Sequence, residues 1–248
     1  MASNYWTSSQ YNDWMVNNET MKDKNMIDKL KLGYDTYDKL EIVSINLINK
    51  LGKRLMTRQR VILTACTYLK RFYIKNNYLE TDLALIISTS LYLSSKVEEL
   101  PIHIKTVINE SNKFYKTLNY PINLTVQSIG EMEFNLIEDL NCNLIVFHPN
   151  IQQFNLPDSV LQLSYYMLND LYKTNLILLY QPYLLTISII TFALNSQNQQ
   201  LYLQDFLKAL NVDLSLISII VKDLFKFYRI YNGLNDSVIL KLYLNNHL

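Results

Sequence analysis

Apolar residues recur at intervals of three and four along most of the chain, which is the spacing of helices that bury one face. Stripes of this kind run through 40–51, 62–73, 83–97, 126–140, 160–171, 203–210 and 217–231. Strict alternation of apolar and polar residues, the pattern of a half-buried strand, does not compete with the helical spacing in any of them. The chain is therefore predicted to be all-α.

Residues typical of helix ends flank several of these stripes. Asp35 is a plausible N-cap for the first stripe and Asp213 for the last. Pro101 and Pro182 each fit the first turn of a helix, where the missing N–H of proline costs nothing. These signals predict a fourth helix at Pro101 and a strongly apolar helix that opens at Pro182.

The apolar helix at Pro182 requires a test as a membrane span. No charged residue occurs between Thr174 and Gln204. Tyr180 and Gln181 join Pro182 in interrupting this stretch, which leaves about a dozen apolar residues, short of the ~20 that span a bilayer. A helix that is apolar on all sides is also what the centre of a helical globule requires. A buried helix, and no membrane partner, is therefore predicted.

The stretch from His148 to Pro157, which contains two prolines, is the best candidate for a linker. The helical pattern restarts beyond them, so two successive helical bundles, each built around one fully buried helix, are expected. The predicted organisation is a lead-in over 1–33, a first helical bundle over 34–147 and a second over 148–248.

The composition argues against catalysis by this chain. Four glycines, three histidines and two cysteines provide no glycine-rich phosphate loop, Cys/His zinc site or nucleophile elbow. No catalytic residue, metal or cofactor is predicted. Both thiols, Cys66 and Cys142, are expected in the core of an intracellular protein rather than in a disulfide. A net charge of +1 supplies no basic surface in bulk, so direct binding to nucleic acid is not expected.

One charged residue, Glu133, occupies an unusual position. It lies four residues after Ile129 and four before Ile137, on the apolar stripe over 126–140. An ionised carboxylate there needs a partner or a wet edge, since burying it alone is costly. It is half of an internal salt bridge, a residue at the edge of the stripe, or a polar anchor in an interface. Lys96 has the same ambiguity at the C-terminal end of its helix, where the helix dipole favours a cation.

Three segments, in this order and spacing, resemble the first box of the cyclin family. They are Tyr68-Leu-Lys-Arg-Phe-Tyr73, Leu93-Ser-Ser-Lys-Val-Glu-Glu99 and Glu131-Met-Glu-Phe134, which continues to Leu140. Within the family, the chain is most similar to the cyclins of the Mediator kinase module. The resemblance is strong as far as Pro149 and weaker beyond it. It implies a fold of two successive five-helix cyclin-box bundles with a short extra N-terminal helix.

The resemblance implies a regulatory subunit that binds and activates a cyclin-dependent kinase. That kinase would be the catalytic subunit of the Mediator kinase module, which regulates RNA polymerase II transcription in the nucleus. In the family a lysine and a glutamate of the first box fasten the kinase, and an apolar bed receives its mobile helix. The residues that match these roles are Lys96, Glu133, Leu93, Val97, Glu99, Ile137 and Leu144.

A second set of residues is expected to contact other subunits of the module, namely Trp6, Trp14, Arg58 and Glu98. Both tryptophans precede the first apolar stripe, and exposed aromatic residues often anchor interfaces. The N-terminal segment is therefore expected to lie outside both bundles. Alternatively, the tryptophans staple this segment to the first bundle, and Glu98 with Glu99 forms a solvated helix end.

Two other functions compete with kinase activation. A promoter-binding factor built from cyclin boxes would need a zinc ribbon and a basic face, which the cysteine count and the charge balance disfavour. A cyclin-box or helical-repeat scaffold of the transcription machinery without a kinase partner is the plainer alternative. In cyclins that recruit substrates through the first helix of the box, an arginine stands at the position of Glu41. Recruitment through that patch is therefore not expected.

Overall fold

The computed structural model describes residues 4–208, 210 and 212–247. None of these residues lies in a strand, and the all-α prediction is confirmed. Two short 3-10 helices occur at Tyr5–Thr7 and Tyr78–Glu80. The α-helices are α1 (Ser9–Asp13), α2 (Asn18–Asp23), α3 (Met26–Leu32), α4 (Tyr34–Arg54), α5 (Gln59–Lys75), α6 (Leu83–Val97), α7 (Ile104–Thr117), α8 (Val126–Asp139), α9 (Asp158–Leu171), α10 (Leu176–Leu179), α11 (Pro182–Ser196), α12 (Gln200–Lys208), α13 (Leu214–Tyr231) and α14 (Asp236–His247).

These helices divide into two compact units. The first unit contains residues 16–146 and 234–247, and the second contains residues 4–15 and 147–233. The five helices α4 to α8 and the five helices α9 to α13 correspond to the two predicted bundles. Both chain ends depart from the predicted ranges, because residues 4–15 pack with the second bundle and α14 packs with the first.

The first unit is built around α6. This helix contacts α4, α5, α7 and α8. Its Ser88, Ser90 and Ser94 side chains are fully buried. Because these side chains are small, the neighbouring helices can approach α6 closely. The helix begins where the Asp82 carboxylate accepts hydrogen bonds from the backbone N–H groups of residues 84 and 85. The predicted central buried helix of the first bundle is therefore present.

Helix α14 is attached to the first unit by polar contacts that the sequence pattern did not reveal. The Tyr243 hydroxyl lies 3.0 Å from the Thr81 carbonyl oxygen and 3.3 Å from that of Tyr78. At the start of the helix, the Asp236 carboxylate accepts a hydrogen bond from the Asn46 amide at 3.0 Å. Asn235 caps the helix, since its side-chain oxygen accepts a hydrogen bond from the Ser237 backbone N–H at 3.1 Å, and the contacts of Tyr243 and Asp236 hold the helix on the first unit.

The second unit is built around α11, which begins at Pro182 as predicted. Ten of its 15 residues are buried, and it contacts α9, α10, α12 and α13. Within the described part of the chain, no helix combines the length and the apolar character that crossing a membrane requires. The strongly apolar stretch is thus the centre of a bundle, as expected.

The N-terminal segment was expected to lie outside both bundles, but it packs within the second unit. Gln10 is buried, and its side chain exchanges two hydrogen bonds with the backbone of Phe147, at 3.1 and 2.7 Å. The Tyr5 ring packs edge-on against the Phe147 ring. Trp14 is only 5% exposed, so it is a core residue. The stapling alternative is correct in kind, and the unit to which the segment belongs is the second one.

Three local predictions were wrong for identifiable reasons. Asp35 lies inside the first turn of α4, because Gly33, with a φ of 83°, precedes the helix. Pro101 lies before α7, which His103 caps. Cys142 is exposed, because α8 ends at Asp139 and the chain turns through a left-handed conformation there, whereas Cys66 is buried as expected.

Gly52 provides a test of packing in the first unit. A Cβ atom there would lie 2.7 Å from Cγ1 and 2.9 Å from Cδ1 of the buried Ile62 side chain. Gly52→Ala should therefore lower the free energy of unfolding by about 1–3 kcal/mol. Gly130→Ala is the matched control, since nothing lies within 4 Å of its Cβ position in α8. The control should raise stability by about 0.5–1 kcal/mol. Urea unfolding measures both, and equal effects would contradict the packing of α4 on α5.

Candidate functional site

Lys96 and Glu133, far apart in sequence, meet at the edge of the first unit. Lys96 occupies the last turn of α6 and Glu133 the middle of α8. The Lys96 Nζ atom donates hydrogen bonds to both carboxylate oxygens of Glu133, at 2.7 and 2.9 Å. The lysine side chain is 41% exposed and that of the glutamate 15%. Two of the alternatives left open by the sequence therefore apply: Lys96 and Glu133 form a salt bridge with each other, and this salt bridge borders the surface.

Tyr92 is a third member of this site. It lies one helical turn before Lys96, and the Lys96 Nζ atom is 4.2 Å from the centre of its ring. Partial burial lowers the pKa of Lys96, but hydrogen bonds to Glu133 and Tyr92 outweigh it and raise the pKa above its usual value. Lys96 therefore remains cationic at neutral pH. The spacing of four residues could have identified Tyr92 from the sequence.

The apolar bed that the resemblance implied is only partly at the surface. Val97, Ile137 and Leu144 are half-buried, and each presents some apolar surface. Leu93 is only 3% exposed, so it supports the bed from the core side and offers little surface for contact. The prediction that Leu93 itself contacts a partner thus needs a movement that the other three residues do not need.

Two exposed apolar residues extend this surface and were missed from the sequence. Phe134, next to Glu133, is 76% exposed, and Ile145, next to Leu144, is 63% exposed. Large apolar side chains exposed to this degree beside a polar pair are typical of protein interfaces. Phe134 falls off the apolar stripe of α8, which is the signal that could have identified it.

The segment after α8, which carries Leu144, is held by the first family motif. The Tyr68 hydroxyl donates a hydrogen bond to the Leu144 carbonyl oxygen. The Arg71 guanidinium donates to the Asn143 carbonyl oxygen at 3.0 Å, and Arg71 is almost completely buried. Tyr68 and Arg71 therefore act as positioning residues. They fix the end of the candidate surface from below without reaching it.

Glu98 and Glu99 have different environments. Glu98 accepts a hydrogen bond from the Thr64 hydroxyl at 2.6 Å and forms a 2.6 Å ion pair with Arg60. Its carboxylate is thus engaged within the first unit, which argues against both the expected partner contact and a solvated helix end. Glu99 is exposed, with a left-handed φ of 56°. It is accessible for the predicted kinase contact.

The remaining predicted contact residues are distributed differently. Trp6 is 50% exposed, and its ring lies 5.2 Å from that of Tyr11 and 5.9 Å from that of Tyr183. Arg58 is exposed at the start of α5 and makes no side-chain cap there. Trp14 is buried, so its predicted contact with a partner would need the N-terminal segment to move.

The chemistry of this surface is that of binding. A charged pair beside half-buried and exposed apolar residues can desolvate against a partner and exchange charge-assisted hydrogen bonds with it. Within the described residues, no group of three or more histidine, cysteine, aspartate and glutamate side chains is placed to hold a metal ion.

Comparisons with known proteins agree with the geometry. The family described as "Cyclin, N-terminal domain" matches residues 10–145. Cyclin-C of Drosophila pseudoobscura pseudoobscura is 32% identical over 251 residues, covering 96% of this chain and 93% of the relative. The RNA polymerase II holoenzyme cyclin-like subunit of Aspergillus terreus is 35% identical over 212 residues, covering 78% of this chain and 67% of the relative.

Solved structures share the fold. A chain of the CAK complex of Chaetomium thermophilum bound to ATP-gamma-S aligns with a TM-score of 0.71 at 18% identity, covering 98% of this chain and 87% of that one. A chain of the yeast RNA Pol II CTD kinase CTDK-1 complex aligns with a TM-score of 0.65 at 12% identity, covering 87% and 73%. At these identities the likeness concerns the fold alone.

Because the Lys96–Glu133 pair borders the surface, it should contribute little to folding. Lys96→Met should lower the free energy of unfolding by about 1 kcal/mol or less, because the lysine end of the pair is 41% exposed. Lys173→Met is the matched control, since the better buried Lys173 ammonium bonds Asp170 and the Tyr231 hydroxyl, both at 2.8 Å. That variant should lose about 3 kcal/mol or more. Urea unfolding measures the stability of both variants. A large loss of stability for Lys96→Met would show that the pair mainly stabilises the fold.

Proposed function

This chain belongs to the cyclin family, and we propose that it is a regulatory subunit that binds and activates a cyclin-dependent kinase of RNA polymerase II transcription. The observation that carries the proposal is the Lys96–Glu133 pair, placed at the edge of α6 and α8 beside Ile137 and Leu144. In the family, a lysine and a glutamate at these motif positions fasten the kinase.

We further propose that the kinase is that of the Mediator kinase module and that the complex acts in the nucleus. The support is the similarity to Cyclin-C, which extends over nearly the whole of both chains. The similarity to cyclin-like subunits of the RNA polymerase II holoenzyme points to the same process. The chain then needs no active site of its own, because its contribution is a change in the conformation of its partner.

The physical mechanism is selection of the active kinase conformation. Docking on the α6–α8 edge moves a kinase helix inward, so that its glutamate pairs with the lysine that positions ATP. A binding surface can shift this equilibrium only by the difference in its affinity for the two kinase states. Lys96 and Glu133 already hold each other in place, so little side-chain freedom is lost when the partner arrives.

Further subunits of the module would meet other surfaces. Trp6, with the rings of Tyr5, Tyr11 and Tyr183 around it, forms an exposed aromatic cluster in the second unit. Aromatic side chains of this kind supply large contact area and dominate interface energies. Arg58 is a separate exposed candidate in the first unit. Contacts with nucleic acid are not part of the proposal, since the net charge is only +1.

The kinase-docking role is tested by Lys96→Ala and Glu133→Ala. Removing one member of a desolvated charge pair at an interface costs on the order of 2–5 kcal/mol, so each variant should weaken kinase binding roughly 30-fold or more. Kinase activation should fall in parallel. Binding is measured by titrating the kinase subunit with the purified chain, and activation by phosphate transfer to a substrate peptide.

Glu131→Ala is the matched control. Glu131 is an exposed carboxylate on the same helix, engaged only locally by the Gln127 amide at 2.8 Å among the bonds of the described residues. It should leave kinase affinity within about twofold, because rim charges contribute little. The docking role is refuted if all three variants bind equally, or if the melting temperatures of the two test variants collapse while their folded fractions bind normally.

A further inference from the structure

A second recess lies in the first unit, away from the Lys96–Glu133 pair. It is an open groove bounded by the C-terminal ends of α5 and α8, the 3-10 helix at Tyr78–Glu80 and the start of α6. Its volume is about 510 Å³. Pockets that bind ligands typically span roughly 300–1,000 Å³. The groove is therefore large enough to receive a side chain with its neighbouring backbone.

The groove is apolar at its base. Phe72 and Ile86 are buried beneath it, and Leu85 and Met132 are half-buried at its walls. Such a base favours the aliphatic part of a side chain, since removing methylene groups from water is favourable.

The rim of the groove is acidic. Glu80, Asp82, Glu138 and Asp139 line it, and no lysine, arginine or histidine does. None of these four carboxylates forms an ion pair with another residue that the structure describes. One cation, Lys75, lies beside the rim, with its ammonium 2.6 Å from the Asp139 carbonyl oxygen.

Three of the rim carboxylates have local hydrogen-bond donors. Asp82 caps α6, Asp139 accepts a hydrogen bond from Asn76 at 3.0 Å, and Glu80 accepts one from a neighbouring asparagine at 2.9 Å. These neutral donors hold the carboxylates in position without cancelling their charge. Glu138 is exposed at the end of α8, and its carboxylate is accessible from the groove.

We propose that this groove binds an extended basic segment of a partner protein by taking up an arginine or lysine side chain. The methylene stem would lie on Leu85 and Met132, and the cationic head would reach Glu138 and Asp139. Charge-assisted hydrogen bonds to carboxylates are the strong ones, and bidentate geometry favours arginine over lysine. An acidic or purely apolar segment would leave the rim carboxylates unpaired or desolvated.

The occupant is a protein other than the kinase. Asn135 and Asp139 line the groove, and each lies two residues from Ile137, which puts them about 160° around the helix axis from it. Most of the groove's share of α8 therefore faces away from Ile137. Only Glu138, about 100° from Ile137 and one turn after Phe134, approaches the kinase-docking surface. A basic segment held there would be tethered beside the kinase, which raises its effective concentration. Peptide binding by the groove does not itself depend on the proposed kinase partnership.

The test is a titration of the full chain, labelled with 13C at its methionine methyl groups, with a short peptide. The probe is the acetylated peptide Gly-Arg-Ala-Ala-Arg-Gly, and the control peptide has citrulline, a neutral isostere, in place of arginine. The Met132 methyl resonance, assigned with Met132→Leu, should shift saturably with the arginine peptide and not with the citrulline peptide. Raising the salt concentration should weaken the shift.

Glu138→Lys should weaken peptide binding by at least about fivefold, because it replaces attraction by repulsion at the rim. Its fold should survive, since a cation is favourable at a helix C-terminus. Glu131→Lys, on the same helix but outside the groove, should change affinity by less than twofold. Lys96→Ala should bind the peptide normally, which separates this site from kinase docking. A Met132 methyl that does not move at millimolar peptide, or a shift that survives Glu138→Lys or citrulline, overturns the proposal.

Discussion

Burial of α6 on nearly all sides is the constraint on which the first unit depends. Four helices pack against it, and its middle is lined by serines and aliphatic residues with no exposed surface. Such a helix can meet solvent at its ends. Its C-terminal end carries Tyr92 and Lys96 into the candidate docking surface, and its N-terminal end places Asp82 and Leu85 at the acidic groove. The same buried rod thus fixes the positions of two separate surfaces.

The charged side chains of the first unit differ in their burial. Buried charges are engaged within the fold, whereas charges at the surface are available to a partner. Lys24 and Glu41 form an ion pair whose side chains are 3% and 10% exposed, so Glu41 is an internal residue. Burial lowers the pKa of Lys70 to about 8. Lys96, by contrast, is cationic at a wet edge. Removing one member of a buried ion pair leaves an uncompensated charge in the interior. The Lys96–Glu133 pair at the surface can instead form hydrogen bonds with a partner at little cost in stability.

Much of the fold follows from local patterns, because the helical spacing of apolar residues reports burial directly. The Asp213 cap, the opening of α11 at Pro182 and the anomalous position of Glu133 could all be predicted in this way. The failures concern contacts between residues distant in sequence. The burial of Glu98 depends on Thr64, that of the N-terminal segment on Phe147, and the packing of α14 on the backbone near Tyr78. Lys96 was assigned by family resemblance, and the structure adds that it pairs with Glu133.

The central claim is that a partner kinase docks on the α6–α8 edge. Hydrogen–deuterium exchange of the chain, alone and in complex with the kinase subunit, tests it most directly. Amide exchange should be slower in the complex at residues 92–97 and 133–145, with residues 76–82 near the groove unchanged. Protection confined to the second unit, with residues 92–97 and 133–145 exchanging as in the isolated chain, would contradict it.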